Sequence, residues 1–288
     1  PERIAELEPA GIVLSGGGLA GLLYGLSLGP DDGWAAPATV LTLGGAVLAL
    51  VTLVVVELRI DEPVLDLRLL RERLFRTINL VGLFAYAGFL GHICLFTLYL
   101  QTLRGSAAME AGFTQSPQDL GVIVVSNLFG RSLYMAIGPR RLLLGGTLAT
   151  GAVTMLFAAT DPTTPILGMA AMRFCRGLTV GMVVIAIQTA VYANIARPDT
   201  ATATSIFSSQ RQTANALGVA IVASILAALA PDAASDTAAA AAEGLDAYRT
   251  GFLVSGALFV PAAVAAWFVH DEDAAATRRP APVAARQG

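Results

Sequence analysis

The residues best placed to do chemistry are four polar side chains in an otherwise apolar stretch: Gln115, Gln118, Asp119 and Ser126. At 100° per residue they fall within about 100° of one another, so a helix over 113–129 carries them as one polar stripe. Such a stripe is expected to face a cavity rather than lipid. An ionised side chain at the centre of a membrane helix costs roughly 2.5 to 3.5 kcal/mol, so a carboxylate held there is paired, hydrated or protonated. Asp119 is the first residue expected to bind a proton or a cationic substrate; alternatively the helix starts later and Asp119 lies at its outer end. His92 stands in another apolar run and has the side-chain type of a proton carrier, or else it hydrogen-bonds to a neighbouring helix. Arg173 and Arg176, three residues apart, share a helix face and can meet an acidic partner, or they snorkel toward headgroups.

The elements that position these residues are membrane helices. The chain of 288 residues is 55% hydrophobic and only 14% charged, far from the balance of a soluble domain. All 18 basic residues are arginine. Without lysine there is no Walker A phosphate loop and no lysine Schiff base. No H-E-x-x-H, no G-x-S-x-G and no metal-ligand cluster occurs, so an enzyme is not expected and no cofactor or metal is implied. Cys94 and Cys175 form no C-x-x-C pair and read as small buried hydrophobes.

Eight apolar runs are long enough to cross a bilayer: about 9–28, 38–58, 77–100, 113–129, 142–159, 166–195, a run beginning after Asp199, and 250–269. The expected fold class is all-α, a polytopic membrane protein. In the first run Gly16, Gly18 and Gly21 satisfy G-x-G-x-x-G, but they lie in a membrane segment rather than after a strand. Gly17, Gly21 and Gly25 recur at the spacing that lets helices approach in lipid. The run at 166–195 is too long for one straight crossing. Either the helix is tilted with both arginines embedded, or it begins near Gly177. Gly130 to Arg141 reads as a tight turn between two helices, with Gly130 and Gly138 supplying freedom and Pro139 ending the incoming helix. Trp34 reads as an interfacial anchor, 231–247 as an outer loop, and 271–288 as a disordered tail.

The segment at 130–141 resembles the loop pattern G-x-L-x-D-R-x-G-R-R of the major facilitator superfamily. Gly130, Gly138, Arg140 and Arg141 match, Arg131 keeps its spacing, and Tyr134 and Met135 stand where the acidic residue would fall. Other stretches are similar to the fourteen-helix drug:proton antiporters of the EmrB/QacA type. Glu62-Pro63, Leu65-Asp66-Leu67, Arg73 and Phe75 match their connector. Leu98-Tyr99-Leu100-Gln101, Gly105 and Ser106 match the stretch that follows. Arg176-Gly177-Leu178 and Gly181 match their twelfth helix, and Arg211, Gln212 and Gly218 match the signature of the thirteenth, where Asn215 replaces a glycine and adds a polar group toward the pathway.

This resemblance implies two linker helices over 1–58, a cytoplasmic connector over 59–76 and a six-helix carboxy-terminal bundle over 77–270. It implies proton-coupled efflux of small amphipathic or cationic compounds. The partners expected are the lipid bilayer, a small-molecule substrate with protons, and a missing amino-terminal half, with no nucleic acid. Thirteen arginines fall at the amino end, in alternate loops and in the tail, against Arg104 and Arg249 on the other side. The arginine bias therefore puts both termini of this segment in the cytoplasm of a multi-pass cell-membrane protein. A non-transporting helical module that pairs with a separate half or senses a ligand is the other reading.

Overall fold

A computed structural model describes residues 9–57, 67–106, 108–229, 238–270 and 272. The motif residues Glu62, Pro63, Leu65 and Asp66 lie outside the described residues, as does the tail apart from Glu272. The described chain is all-α. Its helices are α1 (Pro9–Asp32), α2 (Pro37–Glu57), α3 (Arg73–Thr102), α4 (Ala108–Val124), α5 (Gly130–Ile137), α6 (Pro139–Leu156), α7 (Ile166–Ala190), α8 (Thr200–Leu229), α9 (Ala238–Ala257) and α10 (Phe259–Trp267). Among the described residues five helical stretches are long and apolar enough to cross a membrane: 73–102, 139–159, 166–190, 197–229 and 243–267. The protein is therefore a multi-pass membrane protein.

Several boundaries differ from the sequence reading. A π-helical turn over Val125–Phe129 joins α4 to α5, so the helix runs on past Gly130, and the loop expected at 130–141 shrinks to Gly138. Gly138 turns the chain with φ 86°, and Pro139 takes the first position of α6, where its missing N–H costs nothing. The part of the expected outer loop from 238 onward is helical, because an alanine run is a strong helix former even without an apolar period. The run to Ile195 ends its helix at Ala190 and finishes in turns, which removes the excess length.

In the packing, α3 lies against α8, α9 and α10, while α7 is held between α4 and α6. At the start of α3, Glu72 accepts a hydrogen bond from the Phe75 backbone N–H through one carboxylate oxygen and from Asn194 Nδ2 at 3.0 Å through the other. That single residue caps α3 and ties it to the turn after α7. At the other end Arg104 Nη1 donates to the Thr164 carbonyl at 2.7 Å. In the same loop Asp161 accepts from Thr163 and Thr164, which holds its carboxyl below the usual carboxylate range.

The hairpin of α1 and α2 docks through α1 onto α8. Its close-approach face is Gly18, Gly21 and Gly25, set against Leu50, Ala46 and Leu43, whereas Gly17 meets nothing. Helix packing, not nucleotide binding, is thus the use of these glycines; Gly21 and Gly25 serve as expected, and Gly18 takes the place of Gly17. Trp34 anchors the hairpin to protein, its Nε1 donating to Ser224 Oγ at 3.0 Å. Trp34→Phe is expected to cost about 1 kcal/mol. That loss would be read as a lower thermal midpoint in detergent, and Ser224→Ala in the same background should add nothing further.

Candidate functional site

Two apolar clusters fill the bundle, one toward each end. The first joins Leu74, Phe75, Ile78, Leu142, Ile187 and Phe207; the second joins Leu95, Phe96, Tyr99, Phe157, Met169 and Phe252. Between them along α3, α6 and α7 lies a buried polar layer. His92, Thr154, Arg173 and Arg176 all have 0% exposure and Gln118 has 1%. The layer is set about 10 to 15 Å into α7 by the helical rise.

Arg176 organises the layer. Its Nη1 donates to Gln118 Oε1 at 2.6 Å, its Nε donates to Thr154 Oγ1 at 2.9 Å, and its guanidinium lies 5.5 Å from the Phe89 ring centroid. The α4–α7 crossing makes this possible. A Cβ on Gly177 would overlap the Gln118 carbonyl, and one on Gly121 would fall 2.5 Å from the Phe174 carbonyl oxygen. Only two facing glycines let the backbones come this close. Arg173 lies 4.5 Å from the centroid of Phe96, and its Nε and Nη1 have no hydrogen-bond partner, like Nη2 of Arg176.

Both arginines are therefore inside the helix and inside the protein. This removes the reading in which α7 starts near Gly177 and the guanidinium groups snorkel. Neither guanidinium forms a salt bridge among the described residues, but Asp119 on the facing α4 is near enough to attract Arg173 through space. Arg176 takes a neutral glutamine instead of a carboxylate.

His92 differs from its expected hydrogen-bonded role. Its ring packs against Phe96, Phe157 and Phe252 at centroid distances of 6.0, 4.8 and 5.4 Å, and neither nitrogen has a hydrogen-bond partner. An aromatic cage replaces the expected helix contact.

The four residues of the α4 stripe part company. Gln118 turns inward to Arg176, and Gln115 Nε2 donates to Thr97 Oγ1 on α3 at 2.9 Å. Asp119 and Ser126 are exposed on the bundle surface, Ser126 within the π-helical turn. A π turn advances the chain by an extra residue, so a 100° wheel drawn through it loses register.

The remaining sequence candidates lie elsewhere. Asn215 Nδ2 reaches Gln212 Oε1 at 3.4 Å on the same helix, and the guanidinium of Arg211 lies 6.0 Å from the Tyr86 ring centroid. A Cβ on Gly218 would overlap the Ala87 carbonyl, so this glycine seats α8 on α3. Gly130 is buried against Ile185, and Arg131 lies in α5. Gly138, Pro139, Arg140 and Arg141 form the start of α6, remote in sequence from the polar layer. Cys94 is half-buried and Cys175 exposed, the latter against its expected burial. On α7, Cys175 is adjacent to Arg176 but turned to the other side.

Thr97 and Thr154, which complete the site, were not singled out from the sequence. A signal existed for Thr154: Thr147, Thr150 and Thr154 recur every three to four residues through an apolar run, and all three are fully buried. Thr147 and Thr150 bond back to Leu143 and Gly146 in their own helix, which leaves Thr154 to serve α7.

The profile of the Major Facilitator Superfamily matches residues 120–287. The chain is 27% identical over 276 residues to the puromycin resistance protein pur8 of Streptomyces alboniger, covering 93% of this chain and 55% of that protein. It is 25% identical over 248 residues to the multidrug transporter protein MdtP of Bacillus subtilis, covering 86% and 46%. It is 28% identical over 218 residues to the multidrug export protein EmrB of Haemophilus influenzae, covering 75% and 42%. The chain spans about half the length of these curated relatives. Family and relatives alike point to a transporter and not to an enzyme. With a match over more than half of its length laid on a bundle of membrane helices, this chain belongs to the Major Facilitator Superfamily.

Proposed function

We propose that the chain is the carboxy-terminal part of a secondary active exporter that uses the proton gradient to expel small amphipathic or cationic compounds. In this reading residues 1–58 are linker helices, 59–76 a cytoplasmic connector, 77–270 a six-helix bundle and 271–288 a cytoplasmic tail. Both ends of the segment lie in the cytoplasm, and an amino-terminal bundle supplies the other side of the pathway. Alternating access rocks two such bundles about a site at mid-depth. The names of the relatives, puromycin resistance and multidrug export, support the substrate class.

The observation that carries the proposal is the buried layer of Arg173, Arg176, Gln118 and His92, with Asp119 beside Gln118 on the exposed face of α4. Charged groups in a bilayer are costly and persist where they serve a pathway. In this reading Asp119 alternates between a proton and a cationic substrate, with the arginine layer behind it on the inner side of α4.

Asp119→Asn in the full-length parent is expected to abolish proton-coupled efflux of a cationic dye at unchanged expression. Efflux at the wild-type rate would remove Asp119 from the site. This chain alone in proteoliposomes is expected to show no substrate-driven proton flux, because one bundle cannot enclose the site.

A further inference from the structure

Away from the polar layer, two cavities meet on the outer side of α6 and α10. The first, about 430 Å³, is lined by Arg140, Arg141, Leu144, Gly145 and Trp267. The second, about 280 Å³, shares Leu144 and Trp267 and continues past Leu148, Val260, Val264 and Phe268. The first has a cationic wall and the second is apolar throughout, so together they make one amphipathic groove.

We propose that this groove seats one acidic glycerophospholipid, with its phosphate at Arg140 and Arg141 and one acyl chain along α6 and α10. Three observations select that occupant. Charge complementarity sets the pole: two adjacent arginines stand in the first turn of α6, where the helix dipole adds to their attraction for a phosphate, and no carboxylate lines either cavity. Trp267 sits where the two cavities join, and its ring carries the Arg140 guanidinium at 4.7 Å from the centroid. It thereby holds one arginine at the boundary between polar and apolar walls, where indole rings settle in a bilayer. Apart from Trp267 at its mouth, the apolar wall has no side chain able to hydrogen-bond to the backbone of a peptide, whereas an acyl chain needs none. A free phosphate would use the pole and leave the groove empty.

The test is native mass spectrometry of the protein extracted from its host membrane into detergent with equal amounts of dioleoylphosphatidylglycerol and dioleoylphosphatidylcholine. The wild type is expected to retain one phosphatidylglycerol with about twenty-fivefold preference, at roughly fivefold for each arginine. Arg140→Gln with Arg141→Gln should bring that preference to near parity. Val264→Trp, at an exposed position, fills the groove and should lower retention of both lipids with the arginines intact. Millimolar inorganic phosphate should displace neither. The proposal is overturned if the preference survives loss of both arginines, if Val264→Trp leaves retention unchanged, or if inorganic phosphate alone displaces the lipid.

Discussion

In the full-length parent Gly177→Ala is expected to abolish the proposed transport and to cost about 3 kcal/mol of stability, at the upper end of overpacking effects. The added methyl group would overlap the Gln118 carbonyl oxygen, which belongs to backbone and cannot swing aside like the end of a side chain. Relief requires α4 and α7 to separate, and separation breaks the Arg176–Gln118 hydrogen bond that the close crossing permits. Gly168→Ala is the control on the same helix. A Cβ there meets nothing within 4 Å, and the substitution should leave stability equal or raised by a few tenths of a kcal/mol, because alanine is the better helix former. Thermal midpoints in detergent and dye efflux from cells check both. If Gly177→Ala behaves like Gly168→Ala, the α4–α7 crossing is looser than its geometry implies and the site does not depend on it.

Arg173→Met is expected to separate stability from function: the thermal midpoint holds or rises while efflux falls at least tenfold. Arg173 is fully buried with Nε and Nη1 unpaired, so its charge has been desolvated with only partial compensation, from the Phe96 ring and the through-space attraction of Asp119. Replacing buried charge with an apolar side chain of similar volume is often neutral or stabilising by roughly 1 to 4 kcal/mol. Arg176→Met should behave differently. It leaves Gln118 and Thr154 buried without their partner, at a cost of roughly 1 to 3 kcal/mol each, so it should lower both the midpoint and efflux. Wild-type efflux in Arg173→Met would show that this arginine is no part of the pathway.

Much of the molecule was legible in the residue order alone. Apolar length, the absence of lysine and the placement of arginines require no partner to interpret. Each follows from what one segment costs in hydrocarbon, and together they marked a many-helix membrane protein. Motif spacing led to the superfamily for the same reason, since its matches at Gly138 to Arg141 and at Arg211 to Gly218 are local in sequence. Helix ends were less legible. The π turn at Val125–Phe129 and the alanine helix from Ala238 follow from backbone geometry and propensity that an apolar period does not record.

What only the tertiary structure decided is which polar side chains meet. Gln115, Gln118 and Asp119 look alike on a helical wheel, yet one bonds to α3, one to α7, and one stays exposed. Their fates depend on where neighbouring helices cross, and the crossing of α4 with α7 is set by glycines on both. His92 shows the same limit: Phe96, one turn on in α3, is announced by its spacing, but Phe157 after the end of α6 and Phe252 on α9, which close the cage, are not. A single segment determines that it must be buried and at what cost in a bilayer. The identity of its contacts is a property of pairs of segments, and it is settled only when they pack.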